Sequence, residues 1–148
     1  IKDKTDIFSH KRIIYQNIAT SGTPIVATIV PSGKVTDDTV NNLILKENSL
    51  SYEELLGILN SKLLSFYLTH NVINCARLTI HLDTPYLGQL PITNNRDSKL
   101  KENVTKLLSI IEKNPFDEEI EIFKEKINKI IYHMYEINEN EIKLIEAE

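Results

Sequence analysis

The stretch SYEELLGILNSKLLSFYLTH, residues 51–70, holds the longest continuous apolar pattern ahead of the C-terminal third of the chain. Ser51 is followed three residues later by Glu54, which is the spacing of a capping box at a helix start. The apolar residues then recur at steps of three and four, on one helical face: Leu55, Leu56, Leu59, Leu63, Phe66 and Tyr67. A helix of about 19 residues would span roughly 28 Å. The pattern predicts one long central helix against which the other elements pack.

Strand-like segments lie on both sides of this helix. Stretches rich in β-branched and aromatic residues predict strands at residues 12–18, 24–30, 39–46 and 78–82. The second of these, PIVATIV, is apolar almost throughout, which indicates burial on both faces. Turns are predicted at residues 19–23 and 31–34. Pro91 disfavours helix at the residue before it, so residues 86–92 are predicted to be a short extended segment.

The chain becomes helical beyond residue 95. Apolar stripes run through residues 100–111 and 120–135, separated by Asn114-Pro115. Asp117 can cap the second helix, and Asn138 with Glu141 signals a last one. The sequence therefore predicts a mixed α+β fold in which a small mixed or antiparallel sheet packs on the central helix. Residues 1–95 would form the strand-rich unit, and residues 96–148 a C-terminal helical hairpin or bundle packed on it.

Composition excludes several classes of protein. The 148 residues are 41% hydrophobic and 26% charged, which is typical of a globular domain. No apolar run approaches the roughly 20 residues that span a bilayer, and no secretory signal is recognisable, so no membrane association is expected. Cys75 is the single cysteine, which fits a reducing compartment and predicts a cytoplasmic location. The first residue is Ile, which leaves room for an upstream domain.

Charge is distributed unevenly along the chain. The net charge is −4. Residues 1–114 carry 13 basic and 11 acidic side chains, whereas residues 115–148 carry 4 and 10. The acidic excess therefore lies in the tail, and the first part of the chain is free to present a local basic face.

No catalytic or metal-binding constellation is visible in the sequence. His10, His70, His81 and His133 are scattered, and Cys75 lies in a plain NCAR segment without a metal-ligand spacing around it. A GxSxG motif is absent, and Ser32-Gly33-Lys34 lacks the rest of a phosphate-binding loop. The chain by itself is therefore predicted to be non-catalytic.

Polar side chains that could contact DNA cluster around the predicted strands and turns. Arg, Lys, Gln, Asn and His can bond to base edges, and Ser, Thr and Lys can hold phosphates. The candidate DNA-binding residues are Lys11, Arg12, Gln16, Asn17, Ser21, Thr23, Lys34, Lys62, Arg77 and His81. Taken alone, such residues are explained more simply by a solvated surface, because any loop-rich domain carries them.

The order of the motifs is more specific than any one of them. The chain carries LNSKL at residues 59–63, LPI at 90–92 and a helical segment at 130–141 with Tyr132, Tyr135 and NENE at 138–141. In this order the sequence resembles the TaqI-like C-terminal specificity domain, the target-recognition domain of type II restriction-modification enzymes and adenine-specific DNA methyltransferases. The base-reading residues of that family vary with the target, so they cannot be transferred by motif.

The resemblance implies a module that recognises double-stranded DNA and is attached to an upstream methyltransferase domain. The parent enzyme would methylate adenine with S-adenosylmethionine, and a fused endonuclease would allow Mg²⁺ as a further cofactor; this segment itself would need none. The alternative is a protein-protein interaction or dimerisation module, in which the stripes at 100–111 and 120–135 dock a partner and no DNA is bound.

Overall fold

The computed structural model describes residues 4–19, 25–47, 50–73, 75 and 79–147. A 3-10 helix, Lys4–Ser9, precedes the first strand. The strands are β1 (Arg12–Gln16), β2 (Ile18–Ala19), β3 (Ala27–Val30), β4 (Val40–Leu43) and β5 (Ile80–His81). The α-helices are α1 (Tyr52–Leu59), α2 (Lys62–Tyr67), α3 (Thr84–Leu87), α4 (Ser98–Lys113), α5 (Glu119–Met134) and α6 (Glu139–Glu146). The predicted mixed α+β class is confirmed.

A three-stranded antiparallel sheet has β1 in its centre, in the order β3-β1-β4. Ile13 of β1 lies opposite Ile29 of β3 and Leu43 of β4, and these side chains share the face that packs on α1. Because β3 and β4 are both antiparallel to β1, they are parallel to each other. The connection between them, residues 31–39, must therefore return across β1. We call these residues the crossover loop.

A two-stranded antiparallel ribbon, β2 with β5, adjoins one end of this sheet. Ile18 lies opposite His81, and Ala19 lies opposite Ile80. Ala19 is buried whereas Ile18 and His81 are exposed. The predicted turn at 19–23, the start of the predicted strand at 24–30 and Leu78 of the predicted strand at 78–82 fall wholly or partly outside the described residues.

The predicted central helix is interrupted. Ser51 and Glu54 form the expected capping box at the start of α1. At the other end, Ser61 begins a second helix, because its hydroxyl accepts a hydrogen bond from the Leu64 amide at 3.2 Å and donates to the Ile58 carbonyl at 2.7 Å. After α2 the chain continues as a π-helical segment, Leu68–Val72. The prediction of one continuous helix was wrong, since apolar periodicity continues through the new N-cap.

Two further local predictions were wrong. The segment PIVATIV is not buried on both faces: β3 is an edge strand, and Val26 just before it is 63% exposed. The segment at 86–92 is not purely extended, because Pro85 starts the short helix α3 at a position where its missing N–H costs nothing.

The C-terminal helices form the third layer. Leu100 and Val104 of α4 and Ile127 and Ile131 of α5 are buried, and their side chains belong to the same apolar core as the sheet. α4 approaches α1 closely at Gly57, where an added Cβ would lie 2.8 Å from Val104 Cγ2. Most residues of both apolar stripes thus pack within the chain, whereas Ile111 at the end of the first stripe is 38% exposed. The division of the chain into a strand-rich unit, residues 1–95, and a helical segment, residues 96–148, stays a prediction. In the described part of the chain, no helix is both long and apolar enough to cross a membrane.

Candidate nucleic-acid interface

Arg12 holds the start of the crossover loop to the sheet. Its side chain is fully buried. The guanidinium donates to the Lys34 carbonyl and to Asn42 Oδ1, both at 2.6 Å, and lies 5.0 Å from the ring centroid of Phe8. Thr36 Oγ1 also donates to Asn42 Oδ1, at 3.2 Å. Arg12 and Asn42 therefore fix the loop backbone on both sides of residue 35.

Asn17 holds the other end of the crossover loop. Its amide N–H donates to the Thr39 carbonyl, and its side-chain Nδ2 donates to the Asp38 carbonyl at 3.3 Å. Its own carbonyl accepts from the Leu82 amide at 2.7 Å, which joins the ribbon to the sheet. Asn41 donates from Nδ2 to the Leu82 carbonyl at 2.6 Å. The loop is therefore anchored at both ends of β1.

The crossover loop presents its middle to solvent. Lys34 is exposed, and the side chain of Val35 is 77% exposed. Asp37 turns its carboxylate back to Thr39, and hydrogen bonds from the Thr39 hydroxyl and amide lower the pKa of Asp37. A Lys beside an exposed apolar residue is a combination that can contact a phosphate and a base methyl group.

An open groove of about 750 Å³ lies on the inner side of the same loop. It is bounded by the 3-10 helix, the loop and β4, and Asp6, Asp37 and Asp38 line it. Three carboxylates would repel a phosphate backbone. Lys34 and Val35 do not line this groove, and they are therefore the part of the loop that suits DNA.

The motif at residues 59–63 joins four elements. Asn60 bonds to Ala27 at the edge of β3, Ser61 caps α2, and the Lys62 amide donates to Asn128 Oδ1 of α5 at 3.0 Å. The Lys62 ammonium pairs with Glu146 of α6. These contacts explain the motif as a structural junction.

Glu146 is the centre of this junction on the helical side. It also accepts a hydrogen bond from the Tyr132 hydroxyl at 2.7 Å. Burial and the neighbouring carboxylate raise the pKa of Tyr132. Burial would raise the pKa of Glu146, but the bonds from Lys62 and Tyr132 lower it on balance. The Lys62 charge is therefore already compensated within the chain.

The candidate residues fall into separate groups. Lys11, Arg12 and Lys34 lie near one end of β1, whereas Gln16, Asn17 and His81 lie at the other, and Lys62 is on the helical side. Lys11 pairs with Glu53 at 2.8 Å, and Gln16 Oε1 accepts from the Val26 amide at 2.8 Å. Ser21, Thr23 and Arg77 lie outside the described residues.

Within the described residues, Lys34 is the candidate cation that is exposed and has no carboxylate partner. Arg12 is the opposite case, because a DNA contact would require it to leave a buried set of bonds. Sequence reasoning missed Val35, Asn41 and Asn42. In the sequence, nothing marks an apolar residue inside a turn, or an asparagine inside a strand, as part of a binding site.

Cys75 has a neighbour that its sequence position did not reveal. Its Sγ lies 3.5 Å from His70 Nδ1, and the His70 ring packs on Phe66 with the centroids 4.4 Å apart. The pair lies at an exposed turn where Cys75 adopts φ 52°. Across the described ranges, no group of three or more His, Cys, Asp or Glu side chains is arranged to hold a metal ion.

The model of the TaqI-like C-terminal specificity domain matches residues 1–92. The resemblance expected from the motifs is thereby confirmed over residues 1–92, which contain the motifs at 59–63 and 90–92, whereas the motif at 130–141 lies beyond the match. The matched segment contains the sheet, the crossover loop, α1, α2 and the ribbon, whereas α4, α5 and α6 lie beyond it. No curated protein matches the chain significantly.

Proposed function

Because this chain belongs to the TaqI-like C-terminal specificity domain family, we propose that it recognises a short sequence in double-stranded DNA for a restriction-modification enzyme. Specificity is the role that the family name assigns to the domain, and double-stranded DNA is the substrate of such enzymes. The domain binds the target, and the chemistry takes place on another domain.

The observation that carries the proposal is the anchored crossover loop with its exposed Lys34 and Val35. A loop that is already ordered loses little conformational entropy on binding, so more of the contact energy appears as affinity. Lys34 supplies a charge for a phosphate, which positions a protein on DNA but does not discriminate among sequences. The side chains next to Lys34, placed in the major groove of the DNA, supply the discrimination.

The partner domain follows from the same assignment. We propose an adenine-specific methyltransferase domain linked to this chain in the cytoplasm, with or without an endonuclease. Such a domain takes its target base out of the DNA stack and requires that the duplex be held in a fixed register. S-adenosylmethionine, and Mg²⁺ where a nuclease is present, would be bound by those domains and not by this one.

The test is a binding measurement with and without the linked domain. Fluorescence anisotropy with random-sequence duplexes at low salt detects the non-specific binding that phosphate contacts provide, at micromolar protein or below. Selection of bound duplexes from a random pool then yields the preferred sequence. A chain that binds no duplex, either alone or joined to the methyltransferase domain, would contradict the proposal.

A further inference from the structure

We propose that Val35 is a specificity-determining residue that contacts the methyl group of a thymine, and that Arg12 is the positioning residue that holds it there. This inference rests on the proposed function and names how one base is read. An exposed valine on its own does not indicate a binding site, because single exposed apolar side chains are common on protein surfaces. The surroundings of Val35 distinguish it.

The residues on both sides of Val35 are bonded to the linked side chains of Arg12 and Asn42. The Lys34 carbonyl accepts from Arg12 Nη2 at 2.6 Å, and Thr36 Oγ1 donates to Asn42 Oδ1, which also accepts from Arg12 Nε at 2.6 Å. One anchor is the backbone carbonyl before Val35, and the other is the side chain after it. The chain is therefore held to the sheet on both sides of Val35 while Val35 itself remains 77% exposed.

Arg12 is well suited to this task because its guanidinium group is planar and carries several N–H donors in a fixed geometry. Its N–H groups reach acceptors on two different segments at once, and its Cζ lies 5.0 Å from the Phe8 ring centroid. Among the described residues its partners are neutral oxygens and an aromatic ring, so no carboxylate pulls the guanidinium away from the loop. The Gly33 amide adds a bond to the Phe8 carbonyl at 2.7 Å, which fixes the turn before Lys34.

The chemistry of the side chain selects the ligand. A valine has no hydrogen-bonding group, so it cannot discriminate base edges by donors or acceptors. In the major groove, the feature that an apolar side chain recognises is the C5-methyl group of thymine. Lys34, one residue earlier, can hold the adjacent phosphate and bring Val35 to the base edge.

The experiment removes the methyl group from the DNA and the apolar group from the protein. The preferred duplex is selected from a random pool, and each thymine is replaced in turn by uracil, which lacks the methyl group. For the wild-type chain, Kd measured by fluorescence anisotropy should rise about fourfold at one thymine, as expected for burial of roughly one methyl group. Val35→Ala should weaken binding to the thymine duplex by a similar factor and lose the difference between thymine and uracil at that position.

Two further variants test the positioning role. Arg12→Lys keeps the charge but loses the planar guanidinium group, and Thr36→Val keeps the side-chain volume while removing the hydroxyl anchor. Each variant should discriminate less between thymine and uracil than the wild type does. Binding is measured under conditions in which circular dichroism shows that the variant is folded. Thr36→Val keeps the test valid if Arg12→Lys does not fold. Leu144→Ala, on α6 and with a side chain 64% exposed, is the matched control and should leave discrimination unchanged.

The outcomes separate this inference from the proposed function. The contact between Val35 and thymine is overturned if the wild-type chain binds a preferred sequence but loses no affinity at any uracil. It is also overturned if Val35→Ala discriminates between thymine and uracil as the wild type does. Retained discrimination in folded Thr36→Val and Arg12→Lys overturns the positioning role. A wild-type chain without any DNA binding overturns the proposed function, and this inference with it.

Discussion

The side-chain amide of Asn60 pairs with both backbone groups of Ala27: its Oδ1 accepts from the Ala27 amide at 2.8 Å, and its Nδ2 donates to the Ala27 carbonyl at 3.0 Å. Ala27 is the first residue of β3, which is an edge strand. The amide thus takes the place that a neighbouring strand would occupy. An open strand edge is a template for unwanted pairing, and Asn60 covers part of it.

Asn60→Ala should lower the free energy of unfolding by about 1–3 kcal/mol, because two backbone groups lose their partner. Urea denaturation followed by circular dichroism measures the change. Asn103→Ala is the control: among the described residues the Asn103 Nδ2 bonds only to the Lys99 carbonyl of the same helix, so the stability of this variant should differ from the wild type by less than about 0.7 kcal/mol. Equal stability of Asn60→Ala and wild type would show that the edge pairing contributes nothing.

Gly57→Ala should destabilise the protein although alanine favours helices. The added Cβ would lie 2.8 Å from Val104 Cγ2 and 3.0 Å from Leu100 Cδ1. Overpacking typically costs about 1–3 kcal/mol, which exceeds the propensity gain of about 1 kcal/mol. Val104→Ala in the same chain removes the clashing methyl group. The double variant should therefore be more stable than the sum of the single effects, and simple additivity would argue against the clash.

Glu54 should make the unfolding free energy pH-dependent in the acidic range. Burial would raise its pKa, but the Ser51 amide and hydroxyl and the Arg96 guanidinium lower it on balance. A carboxylate whose folded-state pKa is lowered stabilises the fold above its unfolded value of about 4.3, and this contribution is lost as pH falls through the folded-state value.

Urea denaturation from about pH 6 down to about pH 3 measures this dependence. Glu54→Gln keeps an acceptor for the Ser51 amide but removes the charge, so its stability should fall less steeply with acid than that of the wild type. Glu112→Gln, an exposed position on α4, removes the same charge elsewhere. If both variants show the wild-type slope, Glu54 is not the group responsible.

Lys34→Ala should weaken DNA binding most at low salt. A lost phosphate contact lowers the magnitude of the slope of log K against log salt by about 0.9. Titrations at several salt concentrations measure the slope, and Lys143→Ala on α6 is the matched control. Arg77→Ala, a prediction from sequence alone, is tested in the same way. An unchanged slope in either variant would remove that residue from the set of phosphate contacts.

The sequence predicted the class of fold because its local signals are strong. β-Branched and aromatic residues located the strands of the sheet, and the capping box at Ser51 located the start of α1. The capping box at Asn138 and Glu141 located α6 equally well. Each capping box is a contact between residues three apart, so it can be recognised in a single sequence.

The helix interruption at Asn60 and Ser61 could not be predicted from periodicity. Leu59 and Leu63 keep the apolar step of four, so the face continues across the break. The local cap at Ser61 is supported by two contacts that are distant in sequence: the Asn60 side chain bonds to Ala27, and the Lys62 amide bonds to Asn128. The motif at residues 59–63 therefore combines a local cap with long-range bonds.

The candidate site was predicted only in outline. Lys34 was identified because an exposed lysine in a Gly-containing turn has a local signature. Arg12 and Asn17 were identified as polar residues in a strand region, but their side chains hold the crossover loop. Val35 was missed because the reason for its exposure lies in the anchors at Arg12 and Asn42, which are brought together only by the sheet.

The central place of β1 couples the crossover loop to the sheet. β3 and β4 pair with opposite edges of β1, and the loop that joins them bonds to Arg12 at one end of that strand and to Asn17 just beyond the other. A displacement of β4 relative to β1 would also move Asn42, the acceptor that Arg12 and Thr36 share. Substitutions on β4 are therefore expected to act on the DNA-binding surface that we propose as well as on the sheet.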